Sequence, residues 1–329
     1  MLNHYYSDDY INHLIKFTNS KHHVFTIDGY DVNFFEANGK FGKILNSGIF
    51  FGSHGGFKKK LKNYPGQIEL KSIQELADHL DNMNLSSLNI IENPYCDKNE
   101  NTLSNDLISC LKKSFKNCYQ KINRTACVRF LQSNFNENDL LMTYHQKTRN
   151  CVRKFKKSNA CIVKYNIEDY NFKDNLLWLF ENHEKAISSK NGLSKPWSYF
   201  ESIPNSYNED RYELVVCYKN NKRVGGLLNF IIGDEVEYWT PVITEEGRRI
   251  NAIYGIIHHC LYEMSLEGKK IFNFGASWSS QKDLLRFKER FGSETKDYNY
   301  HCFVLNDELE KIDPEILMQE YKYFFVRGF

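Results

Sequence analysis

Residues 212–243, YELVVCYKNNKRVGGLLNFIIGDEVEYWTPVI, limit the folds open to this chain more than any other stretch. Three apolar runs rich in β-branched and aromatic residues are separated by Asn220-Asn221 and Gly233-Asp234. These pairs enter the left-handed turn region at little cost, so the runs close as an antiparallel meander. Upstream lie a strand pattern, CIVKYNI, a helical one, NLLWLFENHEKAIS, and a loop around Pro196-Trp197. Downstream come a helix (INAIYGIIHHCLYEMSLEG), a strand (KKIFNFG), a helix over residues 281–291 and a strand (NYHCFVLN). Helices and strands that alternate around a meander specify a mixed α/β (α+β) architecture with mostly antiparallel central sheets.

Ahead of this block, residues 138–157 keep a 3.6-residue period through Leu141, Tyr144, Thr148, Cys151 or Val152, and Phe155, which predicts one long helix. Its basic residues, including Lys147, Arg149, Arg153, Lys154 and Lys157, gather toward the carboxyl end, where the helix dipole favours them. They form either a solvated face or a phosphate contact. The first third alternates strands with turns at Asp28-Gly29 and Asn38-Gly39, then an apolar run opening into Gly52-Ser53-His54-Gly55-Gly56. Helices are expected over IQELADHLDNM, SNDLISCLKKSF and the terminal DPEILMQEYKYFF, with strands at SLNIIENPY and RTACVRFL. The polar segment NFNENDL marks a boundary, so residues 1–135 and 136–305 read as two domains, with 306–329 folding back onto the first.

At 329 residues the chain suits about two domains of ~100–200 residues each, or one large one. A net charge of +2 gives no broad footprint for DNA or an anionic membrane. No apolar run approaches the ~20 residues of a spanning helix, and MLNHYYSDDY lacks a signal-peptide core, so stable membrane insertion is not expected. Nine singly scattered cysteines imply reduced thiols and a cytoplasmic location. No His, Cys, Asp or Glu spacing suggests a metal, and no GxSxG elbow suggests a covalent nucleophile. His258-His259 on an apolar helix suits a core or surface role.

The helix over residues 281–291 contains an anomaly. Leu284, Phe287 and Phe291 form an apolar stripe, widened by Leu285, and Lys288 stands on it. Either the lysine stem lines the core edge with its head in water, or the ammonium faces a cleft and stabilises negative charge. Gly225-Gly226 inside a strand marks a bulge or a close approach of another group. Gly275, after a buried strand, is a turn or an opening for substrate, with Asn273 and Ser277 as hydrogen-bonding groups. The GSHGG loop fits neither common nucleotide motif and is a turn or the lining of an acceptor site, with His54 or Lys58 near a sugar diphosphate.

The run KKIFNFGASWSSQKDLLRFKERFG resembles the signature of the Fem family, bacterial transferases that add amino acids to peptidoglycan precursors. The likeness lies in Asn273-Phe274-Gly275, the small residues Ala276 to Ser280, Leu285, and Phe287-Lys288-Glu289-Arg290-Phe291-Gly292. KTRNCVRKFKKSNACIV and VGGLLNFIIGDEVEYW resemble the family's basic helix and central hairpin. The element order is similar to that of the GNAT superfamily of N-acyltransferases. The likeness covers most of residues 138–305 and, loosely, 22–135.

It implies tandem GNAT-like domains, the first on the acceptor side and the second on the donor side. It also implies acyl or aminoacyl transfer to an amine of a cell-surface glycan or peptidoglycan precursor. Phe287 and Lys288 would be the catalytic pair, and Gly225, Gly226, Asn273, Gly275 and Ser277 donor-binding residues. His54, Lys58, Arg149 and Arg153 would bind a nucleotide-linked sugar, a peptidoglycan precursor or a tRNA acceptor end. The donor would be aminoacyl-tRNA or acyl-CoA, with no tightly bound cofactor. The segment Glu246 to Ala252 departs from the coenzyme A pyrophosphate loop, because it lacks the second glycine. A coenzyme A-dependent N-acetyltransferase of an amino-sugar nucleotide and a non-catalytic glycan-binding module are the alternatives.

Overall fold

Twelve strands carry the architecture in a computed structural model that describes residues 4–49, 54–60, 69–115, 118–190 and 192–328. They are β1 (Lys21–Ile27), β2 (Tyr30–Gly39), β3 (Gly42–Asn46), β4 (Phe57–Lys59), β5 (Ser87–Ile91) and β6 (Tyr119–Phe130). The remainder are β7 (Cys161–Tyr165), β8 (Tyr212–Lys219), β9 (Lys222–Ile232), β10 (Glu235–Ile243), β11 (Ile271–Trp278) and β12 (Glu294–Val304). The chain forms two units. The larger contains Met1–His13, Cys127–Gly275 and Ser280–Thr295; the smaller contains Leu14–Ala126, Ala276–Ser279 and Lys296–Phe329. The division therefore falls inside β6, β11 and β12 rather than near residue 135, and the first residues join the larger unit.

In the larger unit the strand order is β11-β10-β9-β8-β7. The meander forms as its turns dictate: Asn220 and Asn221 adopt φ of +49° and +57°, and Gly233 adopts +57°. The helix Ala252–Leu266 buries Ile256, Ile257, Cys260, Leu261 and Met264 in a core shared with Val215, Leu227, Phe272 and Phe291. In the smaller unit the order is β1-β2-β3-β5-β12-β6, with β4 on β2. The helices Leu70–Asp81 and Lys98–Ser114 cover it through Ile73, Leu76, Leu80, Leu103, Leu107 and Leu111. Among the described residues no helix is long and apolar enough to cross a membrane.

Three local expectations change. The second hairpin turns at Lys40-Phe41, because Gly39 pairs with Gly42 and Asn38 with Lys43. The expected helix over 138–157 is two helices, Glu137–Met142 and Gln146–Lys156. His145 breaks it: its backbone N–H donates to Arg290 O at 2.9 Å, and its Nδ1 accepts the Lys147 N–H at 3.2 Å, capping the second helix. Arg149 donates to the Met142 and Tyr144 carbonyls and so closes the end of the first. The third change concerns Lys288 and belongs to the site.

Candidate active site

The parallel pair β10 and β11 is hydrogen-bonded over three positions only, Glu235↔Ile271, Val236↔Phe272 and Glu237↔Asn273. Beyond these the strands no longer pair with each other, and the register of β10 against β9 slips between Tyr238 and Thr240. A bulge bends and twists its strand, which gives the separation a local cause. Glu237 and Asn273 stand at the last paired position, where the gap begins.

Lys288 is the buried residue of the helix Lys282–Glu289, at 4% exposure, whereas Leu284 is 41% exposed. The apolar stripe expected from the sequence is inverted at these two positions. The Lys288 Nζ donates to the Gly275 carbonyl at 3.2 Å. Gly275 adopts φ +68°, a left-handed conformation that L residues with a side chain occupy at a cost of ~1–2 kcal/mol. Its N–H donates to Asn273 Oδ1 at 2.9 Å, so a single turn fixes the amide and aims the carbonyl at the lysine. Phe287 is half-buried, edge-on to Tyr254 and Phe291 at 5.4 Å from each.

Glu237 is 1% exposed and accepts a hydrogen bond from the Tyr5 hydroxyl at 2.8 Å through Oε1. Its Oε2 is buried with no hydrogen-bond partner among the described residues. The Asn273 amide faces the carboxyl, but its Nδ2 lies outside hydrogen-bonding geometry. Burial first, and repulsion from Glu235 second, push the Glu237 carboxyl well above the usual range, against opposing pulls from Tyr5, Lys288 and Asn273. A carboxyl in such surroundings exchanges a proton at higher pH than an exposed one, and a cation lies nearby. That combination suits proton transfer coupled to charge development.

Of the residues singled out from sequence, Lys288, Asn273 and Gly275 come together here, with Phe287 beside Lys288 on its helix. Gly225 and Gly226 are accounted for by packing. A Cβ at Gly225 would press on Ile256 and Ile243, each about 3 Å away, and one at Gly226 on Leu179 and Trp178 at 3.0 Å. Ser277 is buried in the smaller unit. So is His54, packed edge-on to Tyr298 and Tyr95, while Lys58 pairs with Glu100 at 3.9 Å. Gly52 and Ser53 lie outside the described residues. Arg149 caps a helix, as described, and Arg153 is exposed. His258 is buried, its Nε2 against Glu137 at 3.2 Å and its Nδ1 against the Tyr144 hydroxyl at 3.1 Å.

Sequence reasoning missed Glu237 and Tyr5. Glu237 left one signal, an acid between apolar strand residues, which could have marked it. Tyr5 left none, since it meets Glu237 only through the fold. The segment preceding the helix Ala252–Leu266 is the short helix Glu245–Arg249, followed by Asn251 in a left-handed conformation. Its amides are already engaged: Gly247 N–H on Thr244 Oγ1, Arg248 N–H on Thr244 O, Ile250 N–H on Glu246 O and Asn251 N–H on Arg248 O.

No protein-family model matches the chain, and no curated protein matches it in sequence. Solved structures do match in fold. FemX superposes with a TM-score of 0.60 at 12% identity, over 91% of this chain and 92% of that one. L-PGS from Bacillus licheniformis gives 0.55 at 10% identity, over 98% of each chain. A C-terminal DUF2156 domain from Agrobacterium fabrum gives 0.58 at 9% identity, over 98% of this chain and 95% of that one. Together with the meander, the parting of β10 from β11 and the two-unit organisation, these matches give the chain a mixed α/β fold like that of FemX and L-PGS.

Proposed function

We propose that the chain is an N-acyltransferase that moves an acyl or aminoacyl group from an activated donor to an amine of a cell-surface glycan or peptidoglycan precursor. One observation carries this reading. A lysine ammonium is buried beside a carboxyl of raised pKa, at the point where two parallel strands stop pairing. The likeness in fold to FemX and L-PGS supports it.

The acyl carbonyl enters the gap with its oxygen toward Lys288. The acceptor amine attacks the carbonyl carbon, the C–N bond forms, and the oxygen takes up negative charge. A preorganised cation at that position lowers the barrier by roughly 3–4 kcal/mol. Glu237, in its ionised form, takes the proton released by the attacking nitrogen, directly or through a water. Collapse of the tetrahedral species then breaks the bond to the leaving oxygen or sulfur, which departs with the proton that Glu237 took up and so returns Glu237 to its ionised form. Phe287 shapes the wall of the site.

The engaged amides of residues 247, 248, 250 and 251 favour an aminoacyl-tRNA donor over acyl-CoA, because a pyrophosphate would have to compete with bonds already made. Such a donor and a nucleotide-linked acceptor place the reaction in the cytoplasm. Purified protein is incubated with radiolabelled aminoacyl-tRNA or acyl-CoA and a panel of amino-sugar nucleotides and peptidoglycan precursors. A labelled amide product is expected. Ligand binding without turnover under every combination would instead mark a non-catalytic binding module.

A further inference from the structure

The smaller unit buries a second cation that the transfer chemistry leaves unused. Arg124, on β6, is 3% exposed. Its guanidinium stacks on Trp278 at 3.8 Å from the ring centroid and lies 5.6 Å from that of Tyr300. Stacking satisfies the faces of the guanidinium plane and leaves its edge. At that edge Nε and Nη1 are buried with no acceptor among the described residues.

Among the described residues no carboxylate accepts from Nε or Nη1 of Arg124. His54 packs edge-on to Tyr298 at 5.3 Å, and burial, with the charge of Arg124 second, pushes its pKa down to about 3. It is therefore neutral at physiological pH. The Tyr298 hydroxyl is likewise buried, with no hydrogen-bond partner among the described residues. Tyr298 also lines a cavity of ≈ 220 Å³ together with Lys98, Lys296 and the acids Glu92, Asp97 and Asp297. Buried charges are ordinarily paired, so a guanidinium held this way asks for a partner supplied from outside.

We propose that Arg124, with His54 and Tyr298, forms an oxyanion-binding subsite that takes a phosphate or carboxylate group of the acceptor. Guanidinium donors match both groups and hold them through charge-assisted bonds. The subsite follows from the geometry of Arg124 alone; assigning its ligand to the acceptor rests on the acyltransferase reading. Nε and Nη1 are enclosed, so the neighbouring side chains give way as the anion enters.

The test needs no donor. Pyrophosphate, inorganic phosphate and acetate are titrated separately into the full-length protein, with tryptophan fluorescence and calorimetry as readouts. Saturable binding of at least one is expected, weakened at least tenfold in Arg124→Met and less in Arg124→Lys. Tighter binding of the phosphates points to a diphosphate-bearing acceptor, and tighter binding of acetate to a peptide carboxylate. The melting temperature of ligand-free Arg124→Met should equal or exceed that of the wild type, because an uncompensated charge is removed. A wild type that binds none of the three overturns the proposal, as does an Arg124→Met variant that binds as the wild type does. Should Arg124→Met fail to fold, unweakened binding by Arg124→Lys overturns it equally. Binding without transfer would count against the acyltransferase reading alone, and transfer without binding against this subsite alone.

Discussion

Replacing Lys288 with methionine removes an ammonium and keeps most of the stem, so the consequences for catalysis and for folding separate. For catalysis, a unit charge about 4 Å from a developing oxyanion at an effective dielectric of ~20 is worth about 4 kcal/mol. Loss of one such donor elsewhere costs ~10²–10³ in kcat. For the fold, the charge-assisted bond from Nζ to the Gly275 carbonyl, 3.2 Å long, contributes ~1.5–3 kcal/mol. Relief from burying an ammonium at 4% exposure offsets a similar amount. Lys288→Met should therefore fold with a melting temperature within ~5 °C of the wild type and transfer acyl groups at least a hundredfold more slowly. Single-turnover assays with radiolabelled donor, run beside thermal melts, measure both. A folded variant that keeps a third or more of the wild-type rate refutes the oxyanion role. If both Lys288→Met and Lys288→Ala are insoluble, the lysine is a packing residue and the mechanism loses its cation.

The Glu237 carboxyl keeps its proton to higher pH in the fold than in the unfolded chain, so its stabilising effect is complete below the unfolded pKa and is lost as pH rises through the folded one. Glu237→Gln should flatten that slope in pH-dependent melts, leave neutral-pH stability equal or higher, and abolish the acid limb of the pH–rate profile. Tyr5→Phe deletes a 2.8 Å bond that holds the pKa down, so the acid limb should move to higher pH with the fold intact; an unmoved limb disconnects Tyr5 from the reaction. At Gly255 an added Cβ would run into the Phe155 ring, and Gly255→Ala should cost ~1–3 kcal/mol in denaturant titration while sparing Lys288 chemistry.

Legibility tracked the range of the interactions involved. The meander was readable because Asn220-Asn221 and Gly233-Asp234 fix their turns within a few residues. The Lys288 anomaly was visible because it sits within one helix, although the same pattern wrongly buried Leu284. Periodicity over 138–157 concealed a break, because the bond from the His145 amide to the Arg290 carbonyl spans the larger unit. The Asn38-Gly39 turn signal lost to register, since β2 runs on to pair Gly39 with Gly42.

The sequence by itself determined the order of elements, the turns of the meander and the placing of an ammonium where an apolar residue was due. These are written in side-chain periods and local backbone preferences, which act between near neighbours. Only the tertiary structure decided that β10 and β11 part after Glu237 and Asn273, that Tyr5 reaches Glu237, and that Arg124 lies against Trp278. Burial and proximity belong to residues far apart in the chain. A carboxyl's proton affinity and a guanidinium's want of a partner are set by what surrounds them once the chain has closed.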